Sequence, residues 1–239
     1  MLKIHKIVTP SPEQWEIVIE GMRNPMNAWD KIDSYKTHIE NPETGNIADF
    51  EFFVGDNDLS RMQSLAEAGS DHRKYMRMLP VHITLSAPLY WWKEYDTYKV
   101  GTVSNSCSTM HKIHAKEFTL DDFSHEHLFG FSGDEYCLDS MDVLCEVIKI
   151  LNLYRERFLE CTVSKYGTAA ECASVKKQYW LQMIQLLPSS YNQMRTCHLN
   201  YENLMNIYFA RRNHKLDEWH VFCDAIEKMP YFMDIIKEK

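Results

Sequence analysis

Asn200 and Arg211 stand eleven residues apart in the stretch NYENLMNIYFARR. That is about three helical turns at 3.6 residues per turn, so the two side chains fall on nearly one face. An arginine presents a planar fork of N–H donors suited to a phosphate, a carboxylate or a polarised carbonyl. Asn200 occupies the expected N-cap, where a side-chain oxygen accepts from a free backbone N–H. Asn206 points well away from Arg211, so one pocket collects all three only around a long ligand or where two subunits share it. His111 with His114, and His125 with His127, have the spacings H-x-x-H and H-x-H. Neither is joined by a cysteine or a paired second motif, so no metal site is expected there. Cys107 has the chemistry of a nucleophile but no assignable basic partner, and the expectation is a small buried thiol.

The elements that must position these residues can be read from periodicity and punctuation. Leu2 to Val8 alternates as a short strand. Ser11 caps a helix with Pro12 at its first position, and Trp15, Val18, Ile19 and Met22 form its buried stripe. Residues 41–57 read as a polar turn, an aromatic run (Phe50, Phe52, Phe53) and a further turn. Leu59 to Ala68 is a helix closed by Gly69. Pro80 to Leu89 is a strand in which Val81, Ile83 and Leu85 alternate with His82, Thr84 and Ser86, and Pro88 should bend or end it. Tyr90 to Tyr98 is a helix with Trp91, Trp92 and Tyr95 inward. Val100 to Thr109 reads as a small-residue loop, and Phe118 to Gly133 as an acidic, aromatic surface insertion. Two helices follow, Asp139 to Leu159 and Ala173 to Leu187, the second stopped by Pro188. Ser189 to Leu199 is a polar segment. The helix after Asn200 carries Leu204, Ile207 and Tyr208 on its apolar stripe. A final helix, Leu216 to Ile236, is broken at Pro230.

The 239 residues are 45% hydrophobic, enough for one large domain or two small ones. A net charge of −8 disfavours binding to nucleic acid, which rests on neutralising many phosphates; a single nucleotide needs only a local basic cluster. No apolar run of about 18 residues occurs, so no membrane span is expected. The N-terminal MLKIHKIVTP lacks the apolar stretch of a secretory signal. Seven scattered cysteines without a CxxC point to free thiols in a reducing cytoplasm.

The stretch from Leu187-Pro188 through Asn200, Leu204, Asn206 and Arg211 to Trp219 resembles the flavin-dependent thymidylate synthase (ThyX) family. Members carry a leucine-proline, a threonine-rich strand-like segment, N-x-x-x-L-x-N-x-x-x-x-R, and then a tryptophan. The spacing matches without a gap from Pro188 to Arg211, and one extra residue is needed to reach Trp219. A second likeness lies upstream, where the family has a strand ending in alanine-proline and a histidine fifteen residues before that alanine. Here these are Ala87-Pro88 and His72. The R-H-R-x-x-S-x-N-E-x-S-x-R signature that follows in the family is much altered. Without a gap, its first Arg, His, second Arg and Ser fall on Thr97, Tyr98, Lys99 and Thr102. With one inserted residue, Asn105 and Ser108 match, Ser106 replaces the Glu, and Met110 replaces the last Arg. The resemblance covers most of residues 60 to 225.

The resemblance implies an α+β fold: a mixed α/β domain with helices on a largely antiparallel sheet, assembled as a homotetramer. Residues 1–239 would be one such domain, with 118–138 as a variable insertion. It implies methylation of dUMP to dTMP, with methylenetetrahydrofolate as carbon donor, NADPH as reductant and FAD as hydride carrier. Arg211 falls where the family polarises the uracil, and is the expected catalytic residue. His72, Asn200 and Asn206 fall where the family contacts FAD, and Lys99 and Asn105 join them as candidate cofactor ligands. Glu94 falls where the family has a nucleotide-binding glutamine. Lys93, Ser106 and Ser108 are candidates for the substrate phosphate, with Lys99 also cationic there, though a point charge cannot reproduce an arginine fork. Loss of the signature arginines motivates two rivals: an enzyme of the same architecture with changed pyrimidine C5 chemistry, and a non-catalytic nucleotide-binding protein.

Overall fold

The structure, a computed structural model, describes residues 1–44, 47–129 and 139–236. In chain order its elements are β1 (Lys3–Val8), α1 (Pro12–Arg23), β2 (Tyr35–Glu40), β3 (Ile47–Phe53), α2 (Asp56–Glu67), α3 (Lys74–Arg77), β4 (Pro80–Pro88), α4 (Leu89–Tyr95) and β5 (Val103–Ser106). Then come α5 (Ser140–Leu159), α6 (Val163–Tyr166), α7 (Ala169–Leu186), β6 (Asn192–Asn200), α8 (Tyr201–Arg211), α9 (Asp217–Glu227) and α10 (Phe232–Ile236). β1, β4, β6 and β5 lie side by side in that order, and β2 pairs with β3 as a separate antiparallel hairpin. His82 meets His198 and Thr84 meets Thr196, so partners fall in number along β6 as they rise along β4. That is the antiparallel arrangement.

Two compact units are present. One comprises residues 4–85, 96–105 and 196 onward; the other comprises 1–3, 86–95 and 106–195. In the first unit α1 starts on a capping box. Ser11 Oγ accepts from the Gln14 N–H at 3.3 Å, and the Gln14 side chain accepts from the Ser11 N–H at 2.9 Å. Its stripe of Trp15, Val18, Ile19 and Met22 is buried as the spacing predicts. The Trp15 ring meets those of Tyr201 and Tyr231, each at 5.7 Å. A polar knot joins α1 to α2. The fully buried Asp58 accepts from Arg23 Nε at 2.8 Å, from the N–H groups of Asp33 and Ser34 at 3.1 Å each, and from Ser34 Oγ at 2.8 Å. So many donors compensate a carboxylate removed from water.

The second unit packs α5 beside α7 over a core of Ile113, Phe118, Phe123, Leu144, Leu151 and Met183. Asp139 caps α5, and Thr168 with Glu171 forms a capping box on α7. On α4, Trp91, Trp92 and Tyr95 are buried with ring centroids 4.9 to 5.3 Å apart, as the sequence predicts.

Four sequence readings are corrected. The aromatic run at 41–57 is a strand of the β2–β3 hairpin; its residues are mostly exposed on both faces, so no alternation marks it. The small-residue loop contains β5, whose four residues are all exposed and carry no apolar pattern. Phe118 and Phe123 are core, not surface, while residues 130–138 of that stretch lie outside the described residues. The polar segment 189–199 contains most of β6, hidden because its inward face offers mainly Gln193, Cys197 and Leu199.

Candidate functional site

α8 ends on Arg211 and begins just after Asn200. Asn200 has an extended backbone and caps the helix: its Oδ1 accepts from the Asn203 N–H at 2.9 Å, and the Asn203 side chain accepts from the Asn200 N–H at 3.2 Å. The Asn200 amide is buried, and capping occupies its oxygen, so only Nδ2 is left for a ligand. Arg211 closes the same helix. Its guanidinium lies 4.9 Å from the Trp219 ring and 5.6 Å from the Tyr98 ring, and Nε donates to Tyr98 Oη at 2.9 Å. Two aromatic faces and a hydroxyl therefore fix the plane of the cation. Arg211 is half-buried.

The segment Tyr98 to Gly101 runs along α8. Tyr98 meets Arg211 at the C-terminal end, while Val100 offers its carbonyl to Asn203 Nδ2 at 2.7 Å near the N-terminal end. Gly101 takes a φ of 75°, and a Cβ there would sit 3.1 Å from Asn200 Nδ2. A glycine is needed because the backbone is left-handed and passes close to the cap. Lys99 lies on this strap with its side chain exposed, and so does the nearby Asn105 on β5. Asn206 is exposed while Leu204, Ile207 and Tyr208 are buried, so it faces away from Arg211 as helix geometry requires.

His72 belongs to a separate cleft of the same unit, with a volume of about 440 Å³. Its walls include Met22, Leu65 and Tyr75, and its polar rim is Arg61, Lys74, Asp71 and His72. Such a size suits a small organic ligand. Burial drives the Tyr75 phenol upward, and its hydroxyl donates to the Met62 carbonyl at 2.7 Å, so Tyr75 is a protonated wall.

Lys93, Glu94, Ser106 and Ser108 fall in the other unit. Lys93, Ser106 and Ser108 are exposed and Glu94 is half-buried. Ser108 Oγ accepts from the N–H groups of His111 at 2.9 Å and Met110 at 3.2 Å, which folds the loop into a tight turn and leaves the O–H to donate. Cys107 is exposed, correcting the buried thiol expected from sequence. The reason is β5: the Cys107 N–H is tied to the Met194 carbonyl at 2.9 Å at the end of a strand with no covered face.

Sequence reasoning missed three features. Arg61 joins the His72 cleft from α2, one turn before Leu65, and an i, i+4 reading of that helix would have paired them. Lys74 lies two residues after His72 and carried no periodic signal. Arg195 stacks 4.2 Å over the Trp92 ring while its Nε donates to Gln193 Oε1 at 3.0 Å. That contact joins β6 to α4 across about a hundred residues, which no local pattern announces.

No protein-family profile matches the sequence, and no curated protein matches it. Solved structures do. A structure of thymidylate synthase X from Helicobacter pylori with FAD and dUMP aligns at a TM-score of 0.56 and 12% identity over the whole of both chains. A second, of flavin-dependent thymidylate synthase from Helicobacter pylori with the same two ligands, aligns at 0.52 and 11% identity over 99% of this chain and 97% of that one. The helices and antiparallel strands of this chain therefore have the fold of thymidylate synthase X.

Proposed function

We propose that the chain is a divergent flavin-dependent thymidylate synthase, converting dUMP to dTMP with methylenetetrahydrofolate and NADPH. The observation that carries this reading is the Arg211 guanidinium, held by Tyr98 Oη and the Trp219 ring at the end of α8. As C5 of the uracil becomes nucleophilic, negative charge grows along its N3–C4 edge. A cation already fixed in plane stabilises that charge without reorganising at the moment of reaction. Lys93, Ser106, Ser108 and Glu94 are proposed for the substrate nucleotide, with Lys99 and Asn105 toward the cofactor.

The His72 cleft is proposed to take one part of FAD, with three donors outnumbering the single carboxylate of its rim, Asp71. Arg61, Lys74 and His72 supply charge and hydrogen bonds for a diphosphate, and Met22 and Leu65 supply an apolar wall for a ring. The Nδ2 of Asn200 and the exposed Asn206 extend the proposed flavin contacts. When bound, FAD supplies the hydride chemistry, and the protein supplies position and charge. In this reading residues 1–239 form one domain with residues 118–138 as a variable insertion, and the working form is a cytoplasmic homotetramer. Among the described residues no helix is long and apolar enough to cross a membrane.

The first test is the absorbance of purified protein with and without added FAD, followed by rescue of a thymidine auxotroph. Arg211→Ala is expected to abolish rescue while circular dichroism and subunit assembly stay unchanged. If that variant unfolds or loses its assembly, Arg211 is structural and its assigned role is wrong. One observation favours a second reading: Thr97 and Tyr98 stand where the family has arginine and histidine, and the Tyr98 hydroxyl already takes Arg211 Nε. A colourless protein that binds dUMP supports a non-catalytic nucleotide binder. A yellow one that fails the rescue supports altered pyrimidine chemistry.

A further inference from the structure

β4 and β6 bring two histidines together on one face of the sheet. His82 Nε2 and His198 Nδ1 are 3.3 Å apart, with ring centroids 4.8 Å apart and ring planes at 47°. His82 is exposed and His198 half-buried, so solvent reaches the pair. Side chains two apart on a strand share a face. Accordingly Thr84 and Thr196 meet beside the histidines, their hydroxyl oxygens 2.9 Å apart, which holds the register of the two strands.

We propose that His82 and His198 form a chelating site for a borderline divalent transition metal such as Zn²⁺, Ni²⁺ or Cu²⁺. The distance decides it. Metal–imidazole bonds of 2.0–2.1 Å at a tetrahedral angle hold their two nitrogens about 3.3 to 3.4 Å apart, which is the separation already present. The backbone is thus organised for the bite, and a small rotation of each ring turns the lone pairs from one another toward a shared ion. Both ligand nitrogens must be unprotonated. Among the described residues no third His, Cys, Asp or Glu joins the pair into a larger ligand group. Water fills the remaining positions, so the ion is exchangeable and open to a further ligand.

Isothermal titration of the full chain with Ni²⁺ at pH 7.5 tests the site, in a Cys107→Ser background that removes an exposed thiol. One equivalent is expected to bind. His82→Ala and His198→Ala should each weaken that event at least tenfold, and the control His111→Ala should leave it unchanged. Circular dichroism of each variant checks the fold, and His82→Gln, which keeps a polar side chain, replaces any alanine variant that fails to fold. A second readout is Cu²⁺ electron paramagnetic resonance, expected to show two coupled nitrogens in the parent and one in either variant. Retention of full affinity by both variants, or equal loss in His111→Ala, overturns the assignment and leaves the pair as a simple hydrogen bond.

Discussion

Replacing Asp58 with alanine should be more damaging than replacing its ionic partner Arg23. Asp58 is 0% exposed and Arg23 is 6% exposed, and their charges meet at 2.7 Å. Removing the carboxylate leaves the buried guanidinium a long hydrogen bond to the Lys31 carbonyl, at 3.4 Å, and takes the acceptor from the N–H groups of Asp33 and Ser34. Breaking a buried pair in this way costs about 3–5 kcal/mol, a large share of the roughly 5–15 kcal/mol that holds a domain together. Arg23→Ala leaves Asp58 with three other donors, two backbone N–H groups and Ser34 Oγ, so its cost is about 1.5–3 kcal/mol. Urea unfolding followed by fluorescence measures both through the shift in midpoint. Should Asp58→Ala not accumulate, Asp58→Asn reads the loss of charge alone. The knot also bears on the cleft: α1 and α2, which it joins, supply Met22 and Arg61 to the lining around His72. Flavin retention should therefore fall in Asp58→Ala at temperatures where the chain is still folded. A cost below about 1 kcal/mol for Asp58→Ala, or a greater cost for Arg23→Ala, refutes this account of the knot.

Other consequences can be checked independently. Arg61→Ala and Lys74→Ala should each release FAD more readily on gel filtration, seen as loss of flavin absorbance, without lowering the melting temperature by more than a few degrees. The Cys223 thiol is pushed up to about 12, by burial first and then by the charges of Glu227 and Asp224. Iodoacetamide at pH 8 should therefore label the exposed Cys107 and spare Cys223, as read by peptide mass spectrometry; early labelling of Cys223 contradicts this. The Glu13 carboxyl is held at about 2, chiefly by its hydrogen bond from Lys36. A depressed carboxylate stabilises the fold above its unfolded value near 4.5 and loses that contribution as pH falls toward 2. The melting-temperature gap between the parent and Glu13→Gln should accordingly shrink between pH 5 and 2.5. A gap that widens on acidification contradicts the assignment.

By itself the sequence determined the helices and the cap that organise the molecule. Local rules sufficed for them. Ser11-Pro12 starts α1, Pro188 stops α7, Asn200 caps α8, and the 3.6-residue stripe marks Leu204, Ile207 and Tyr208 for burial. The strand at Pro80–Pro88 was equally legible because its buried face alternates cleanly. The tertiary structure alone decided where alternation is missing and where partners are distant. β3 and β5 are strands because a neighbouring strand accepts their backbone hydrogen bonds, not because their side chains pattern them. Tyr98 stands 113 residues from Arg211, His82 116 from His198, and Asp58 35 from Arg23. Contacts at such separations follow from which strands pair and which helices pack, and loop closure between them leaves no periodic mark in the chain.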